Sequence, residues 1–316
     1  MDNKLAKIIV GVDVSKDHLD IYIIPVNKHI RIKNSDTGFK KLLKELSSYE
    51  VQCIAFESTG GYEAPMARLL EQSGYQTWLI DPVRIKAFIK SEGIKAKTDI
   101  IDAKMIAMFV AQKERKYTPK PLPAEHFELR ALVKRRESLT DMISMEKKRL
   151  KMPTQTEYCK ELINDLVQSL EKQKDIVEKT INSFIARNDD WKRKSLIIQS
   201  IPGVGSVTAS ALISHMPELG TIENKPIAAL LGVAPYTRQS GNYLGNASIY
   251  GGRPTPRWPL YMAALAATRF NPVFKEFYQR LINAGKAFKV ALVATMRKLI
   301  CTINVMLKNN AHWRFA

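Results

Sequence analysis

The sequence predicts an α/β unit followed by a mainly helical region. Three observations carry this. Apolar runs up to about residue 80 switch between strand and helix spacing, whereas after about residue 125 only helical spacing recurs. The strand-spaced runs at 8–15 and 51–56 both end at a carboxylate, Asp13 and Glu57. Functional groups gather at such strand ends in α/β sheets.

Residues 8–15, Ile-Ile-Val-Gly-Val-Asp-Val-Ser, read as a buried strand. Residues 19–24 and 29–32 read as two more, turning around 25–28. Phe39, Leu42, Leu43 and Leu46 mark a helix over 37–48, and 51–56 is a fourth strand. Ser58-Thr59-Gly60-Gly61 breaks the chain. A helix through Pro65, Met66, Leu69 and Leu70 then stops at Gly74, and 75–80 is a fifth strand. A connector leads to a helix that starts with Asp99 and Asp102. The order β-β-β-α-β-α-β-α predicts a mixed sheet with helices on its faces.

Pro119, Pro121 and Pro123 mark a linker, so a first domain is expected over 1–118. Residues 119–190 carry two helical runs on either side of a turn at 152–156. Leu129, Leu132, Leu139, Ile143 and Leu150 lie on the first; Cys159, Ile163, Leu166, Leu170, Val177 and Phe184 lie on the second. Steps of three and four predict an antiparallel coiled-coil hairpin. A third, helical domain is expected over 191–316. In it, Ile201-Pro202-Gly203-Val204-Gly205 between two helical runs reads as a helix-hairpin-helix. Backbone N–H groups at Gly203 and Gly205 would face a phosphate there.

The chain has 316 residues with 49 Lys and Arg against 31 Asp and Glu, a net charge of +18. From Arg253 onward there are eleven Lys and Arg and a single acid, Glu276. A basic region also rich in Tyr, Phe, Trp and Leu is a folded surface, and nucleic acid is its leading partner. Cys53, Cys159 and Cys301 have neither a zinc spacing nor a disulfide framework. The N-terminus lacks a signal-peptide core, and Arg297 and Lys298 break the last apolar run, so a cytoplasmic, non-membrane protein is expected.

Asp99 and Asp102 sit three residues apart and share a helix face. If the strands ending at Asp13 and Glu57 are neighbours, a helix packed across them brings four carboxylates together. Like charges a few ångströms apart raise one another's pKa unless a cation is present. Hard divalent ions, Mg²⁺ above all, take such oxygen ligands, and paired ions serve phosphodiester chemistry.

Asp13 in GVDVSKDHLD, Glu57 in FESTGGYE, and Asp99 with Asp102 in KTDIIDAKMIA together resemble the DEDD set of a ribonuclease-H/RuvC-like domain. The wording is similar to that of the DEDD-type transposases of bacterial insertion sequences, the bridge-RNA-guided recombinases. LLGVAPYTRQSG resembles the segment that holds this family's catalytic serine, and Ser240 falls on that position. The resemblance implies Mg²⁺ held by Asp13, Glu57, Asp99 and Asp102, and Ser240 as the nucleophile that forms a covalent phosphoserine link to DNA. It also implies a noncoding guide RNA, donor and target DNA, and a homo-oligomer, dimer or tetramer, in which the acidic cluster of one subunit works with the serine of another. Arg238, Arg253, Arg297 and Lys298 are expected nucleic-acid contacts.

The stretch 242–250 departs from the family wording, for it has no positive charge. Pro254, Pro256 and Pro259 follow it and predict a delayed helix start. Three rival functions fit fewer features. A Holliday-junction-type endonuclease would use the acidic cluster with water. An actin-like ATPase would take Gly11-Val12-Asp13-Val14-Ser15 as a phosphate loop, but no second phosphate loop follows. A non-catalytic nucleic-acid-binding protein would leave the carboxylates without work.

Overall fold

A computed structural model describes residues 8–58, 60–96, 98–113, 122–237, 239–240, 243–245 and 247–314, with only the backbone of residues 239, 240, 243 and 244. The chain divides into two compact units, Met1–Ala124 and Glu125–Ala316. The expected linker prolines Pro119 and Pro121 lie outside the described residues.

The first unit is built on one five-stranded sheet of β1 (Ile8–Val14), β2 (His18–Ile24), β3 (Lys28–Lys33), β4 (Val51–Glu57) and β5 (Thr77–Ile80). Their order is β3-β2-β1-β4-β5. The first three strands form an antiparallel meander, and β4 and β5 run parallel to β1. The mixed sheet expected from the early hairpin is therefore present. Central β1 is apolar along most of its length because both its faces are covered. Edge strand β3 alternates, with Ile30 and Ile32 on one face and His29 and Arg31 on the other.

Helices α1 (Asp36–Leu46) and α2 (Ala64–Gln72) cover one face. There Val10, Val12, Leu19, Ile21, Phe39, Leu42, Phe56 and Met66 form a core. Helices α3 (Pro82–Ser91) and α4 (Asp99–Gln112) cover the other, where Ile9, Ala55, Trp78, Ile85, Phe88, Ile106 and Phe109 pack. Helix α3 occupies the stretch expected to be a connector. Its start is encoded: the Asp81 side chain accepts from Val83 N–H at 2.8 Å and Pro82 takes the first turn.

The second unit is helical: α5 (Ala124–Arg149), α6 (Glu157–Arg187), α7 (Asp189–Gln199), α8 (Ser206–His215), α9 (Asn224–Leu231), α10 (Pro254–Phe270), α11 (Pro272–Asn283) and α12 (Phe288–Lys308). Helices α5 and α6 run alongside each other in opposite directions, tied by Arg136–Glu178 and Lys147–Glu171, both at 2.7 Å. At 1.5 Å per residue, α6 is roughly 46 Å long. Trp191, Leu212, Ile227, Leu260, Phe274, Leu299 and Ile303 belong to one core shared by α7–α12.

Helix α10 corrects the expectation of a late helix start, since it begins at Pro254 itself. Pro254 and Pro256 lie in the first turn, where backbone N–H groups have no intrahelical acceptor, so the missing hydrogens cost nothing there. Helix α12 is long and apolar enough to cross a membrane by composition, but more than half of its apolar window is buried inside the unit.

Candidate active site

Three features of the first unit bring its carboxylates together. The parallel register sets Val12 opposite Phe56, so Asp13 and Glu57 stand side by side at the ends of β1 and β4. Thr98 caps α4, its hydroxyl accepting from Ile101 N–H at 3.3 Å, and places Asp99 and Asp102 in the positive first turn. Gly11 lets α4 lie close on the sheet: a β-carbon there would stand 2.2 Å from the Ala103 carbonyl oxygen and 2.5 Å from Ala107 N. Asp102 directly precedes that contact, so the absence of a side chain at Gly11 sets how near α4 brings its acids.

The electrostatics follow from this placement. Asp13 is half-buried and its carboxyl is pushed up to about 6. Burial is the largest cause, followed by repulsion from Asp102, Asp99, Glu57 and Asp20. The other three expected carboxylates therefore all act on Asp13.

Asp20 is a fifth acid that sequence reasoning missed. It pairs with Asp13 across the β1–β2 hairpin and is buried, 3% exposed. His29 Nε2 lies 2.8 Å from Asp20 Oδ1. The Arg31 guanidinium lies between Asp20, at 3.7 Å, and Asp99, at 3.6 Å. The signal was in the sequence. Ser15 and His18 close the hairpin turn, so counting outward puts Val14 against Leu19 and Asp13 against Asp20.

Asp13, Glu57, Asp99 and Asp102 offer only oxygen donors and a concentrated negative charge, a set suited by chemistry to a hard divalent cation. Among the described residues, no three acidic, His or Cys side chains converge tightly enough as placed to ligate one ion.

The second unit carries the other expected residues. Ser240 lies in β7 (Gln239–Ser240), paired antiparallel with β8 (Tyr243–Leu244), and β6 (Pro235–Tyr236) pairs with β9 (Ser248–Ile249). The segment around Ser240 thus contains two short ladders. Arg238 lies outside the described residues, as does the Ser240 side chain.

The base of this segment is firmly held. Arg253 donates to both carboxylate oxygens of buried Glu218 at 2.7 Å and to the His215 carbonyl at 2.6 Å, while its own N–H donates to Leu230 O at 2.8 Å. Arg257 Nε donates to Leu231 O at 3.1 Å, and its guanidinium also meets the Gly251 carbonyl. Arg253, expected at nucleic acid, is engaged in these internal bonds.

Gly203 and Gly205 differ in role. Gly203 has φ +95° and packs on α10, where a β-carbon would stand 2.7 Å from Ala267 N. Gly205 precedes α8 as its N-terminal cap, with open space where a side chain would be. Arg297 is exposed. The Lys298 ammonium rests 4.5 Å from the Phe277 ring centre and 6.0 Å from that of Phe274.

A carboxylate-bearing mixed sheet, followed in the same chain by a basic helical unit, is an arrangement suited to phosphoryl transfer on nucleic acid. Comparison with known proteins gives this class a family. Residues 10–155 match a transposase family of the DEDD type found in IS110 elements, and residues 195–279 match the transposase IS116/IS110/IS902 family. The chain belongs to this family of insertion-sequence transposases, and it is a DNA transposase or recombinase.

Its relatives include a pilin gene-inverting protein of Moraxella bovis, 26% identical over 97% of both chains. The transposase for insertion sequence element IS1328 of Yersinia enterocolitica is 24% identical over 77% of each. A structure titled as T. thermophilus RuvC in complex with a Holliday junction substrate matches 37% of this chain and 99% of its own, at 17% identity. Its TM-score is 0.29, too slight to bear on the fold.

Proposed function

We propose that this transposase cleaves and exchanges DNA strands through a covalent link to Ser240, with Asp13, Glu57, Asp99 and Asp102 holding Mg²⁺. The observation that carries the reading is the convergence of Glu57, Asp99 and Asp102 on Asp13, whose carboxyl is raised by burial first and then by their repulsion. Bound there, the cation would supply charge neutralisation at the phosphate and lower the pKa of a coordinated oxygen.

The chain's own residues do the rest. Ser240 Oγ attacks phosphorus and gives up its proton. The DNA oxygen on the far side leaves and gains one, so the phosphodiester persists as a serine ester. A hydroxyl of another strand reverses the step, and Ser240 recovers its proton. The β7–β8 pairing and the Arg253–Glu218 anchor support Ser240 as a positioned group.

The strand order of the first unit supports a ribonuclease-H-like, RuvC-like domain. The α5–α6 pair supports a coiled-coil arm for a homo-oligomer, dimer or tetramer, and the α7–α8 turn supports a helix-hairpin-helix contact to DNA backbone at Gly205. Guidance by a noncoding RNA, work on donor and target DNA, pairing of one subunit's acids with another's serine, and a cytoplasmic location are carried over from the family.

The test is incubation of the full chain with Mg²⁺, labelled element-end DNA and candidate guide RNA, followed by denaturing gels. A covalent protein–DNA adduct is expected, absent in Ser240→Ala and in Asp13→Asn. Cleavage that persists in Ser240→Ala would instead establish water as the nucleophile.

A further inference from the structure

The outward face of α10 is aromatic and has no role in the reading above. Trp258 is 65% exposed and lies against Tyr261, with ring centres 5.4 Å apart and planes within 6° of parallel. Three residues apart, the two share a helix face. Met262 and Arg269 lie on that face too and are exposed. The inward face of α10 is supplied by Leu260, Ala263, Ala264 and Ala267, all buried. Trp258 thus adds little to the core, and an exposed apolar patch of this kind marks an interaction site.

Charge decides what the patch suits. Residues 224–275, which include α10 and Ser240, contain six Lys and Arg and no Asp or Glu. In the whole chain about one residue in ten is acidic, 31 of 316, so this stretch stands apart. A second copy of the chain would bring like charge against like. A DNA strand is favoured by the same composition. Two parallel rings also extend naturally to a third, and base–aromatic stacking tolerates any sequence. A duplex covers the faces of its bases, so the partner base is an unpaired one, of the kind that strand exchange produces.

The platform is tied to the segment that carries Ser240. Arg257, next to Trp258, donates to Leu231 O at 3.1 Å and also meets the Gly251 carbonyl. The start of α10 is therefore held against both ends of the stretch 232–250, in which Ser240 lies. We propose that Trp258, braced by Tyr261, stacks on an unpaired base of the substrate DNA beside Ser240. The place of that base along the strand rests on the Ser240 reading; the stacking does not.

Titration of the full chain with a labelled single-stranded DNA oligonucleotide tests this, read by anisotropy and, with unlabelled strand, by tryptophan emission. Trp78 and Trp191 are buried, so quenching by a bound base reports chiefly on Trp258. The strand should quench the emission, and Trp258→Phe should remove most of that quenching while keeping most of the affinity. Trp258→Ala should bind roughly tenfold more weakly, within the range for one stacked base. Its slope of log K against log salt should be unchanged, because no phosphate contact is lost. Phe270→Ala removes a 70% exposed ring from the other end of α10 and, as the control, should change little.

Unchanged binding by Trp258→Ala, or an equal loss in Phe270→Ala, would overturn the proposal. So would a loss confined to an RNA strand, or sedimentation showing that Trp258→Ala separates an oligomer while DNA binding stays intact. Ser240→Ala separates the two readings: it should bind and quench normally yet form no adduct. Cleavage that persists in Ser240→Ala overturns the serine reading and leaves the stacking result standing. Normal binding by Trp258→Ala overturns the platform alone.

Discussion

Asp13 shows how one side chain reports on its surroundings. Its carboxyl is raised from its ordinary 3.8 to about 6 by burial and by the neighbouring acids. The folded chain therefore holds a proton that the unfolded chain has released between those pH values. The stability this contributes is complete below about pH 4 and is lost as pH rises through 6. A two-unit shift corresponds to at most about 3 kcal/mol, and partial solvation of Asp13 reduces it to about 1–2 kcal/mol. At pH 7, millimolar Mg²⁺ should raise the melting temperature by relieving the same repulsion, and Asp13→Asn should shrink that rise. No Mg²⁺ effect on melting would count against a cation among these acids.

Arg253 and Glu218 make a complementary case. Glu218 is buried, and its carboxyl is lowered despite that burial because Arg253 bonds both oxygens. Truncating the arginine strands a buried charge, so Arg253→Ala should cost about 3 kcal/mol in urea unfolding. Lysine cannot supply the paired geometry, and Arg253→Lys should recover little of the loss. If Arg253→Ala left stability unchanged but weakened DNA binding, the arginine would be a nucleic-acid contact as first expected.

At the scale of elements, the approach of α4 to β1 is the controlling distance. Gly11→Ala would drive a methyl group into the Ala103 carbonyl, and backbone cannot rotate aside. Overpacking of this kind costs about 1–3 kcal/mol. The variant should also lose most of the Mg²⁺-induced rise in melting temperature, because Asp99 and Asp102 move with the helix. A stable variant with a normal Mg²⁺ response would show that α4 does not set the cluster.

How much of these elements was legible varied with the kind of signal. Strands β1–β5, α1, α2 and α4 followed from apolar period and breakers. Helix α3 carries a cap at Asp81 and Pro82, with Ile85 and Phe88 one turn apart, but so short an apolar pattern reads equally well as a connector. In α10 Pro254 and Pro256 misled, because the same residue that breaks a helix interior is at home in its first turn, while Pro259 is carried inside the helix. Asp20 needed the hairpin register as well as the strand, since a lone Asp between leucine and isoleucine names no partner.

On the scale of the whole molecule, one group in each unit titrates with the opposite effect on stability. His215, half-buried beside Arg130 and Arg253 in the second unit, is lowered from 6.5 to about 3, with burial the largest cause. It stays neutral when folded, so the stability it contributes is present above pH 6.5 and is lost as pH falls toward 3. Asp13 works the other way. The pH of maximum melting temperature should accordingly rise in Asp13→Asn, and an unmoved optimum would show that its titration does not reach global stability.

The sequence by itself determined the class of this protein. Apolar periodicity fixes which faces are buried, carboxylates at strand ends and on a helix start survive as motifs, and a charge of +18 points to nucleic acid whatever the fold. Only the tertiary structure decided which charged groups meet. Parallel register joined Asp13 to Glu57, antiparallel register added Asp20, and Gly11 set how near α4 carries Asp99 and Asp102. It also turned Arg253 inward. The physical reason is range. Periodicity is a local property of the chain, whereas electrostatic contacts act over a few ångströms between residues far apart in sequence, and packing alone sets those distances.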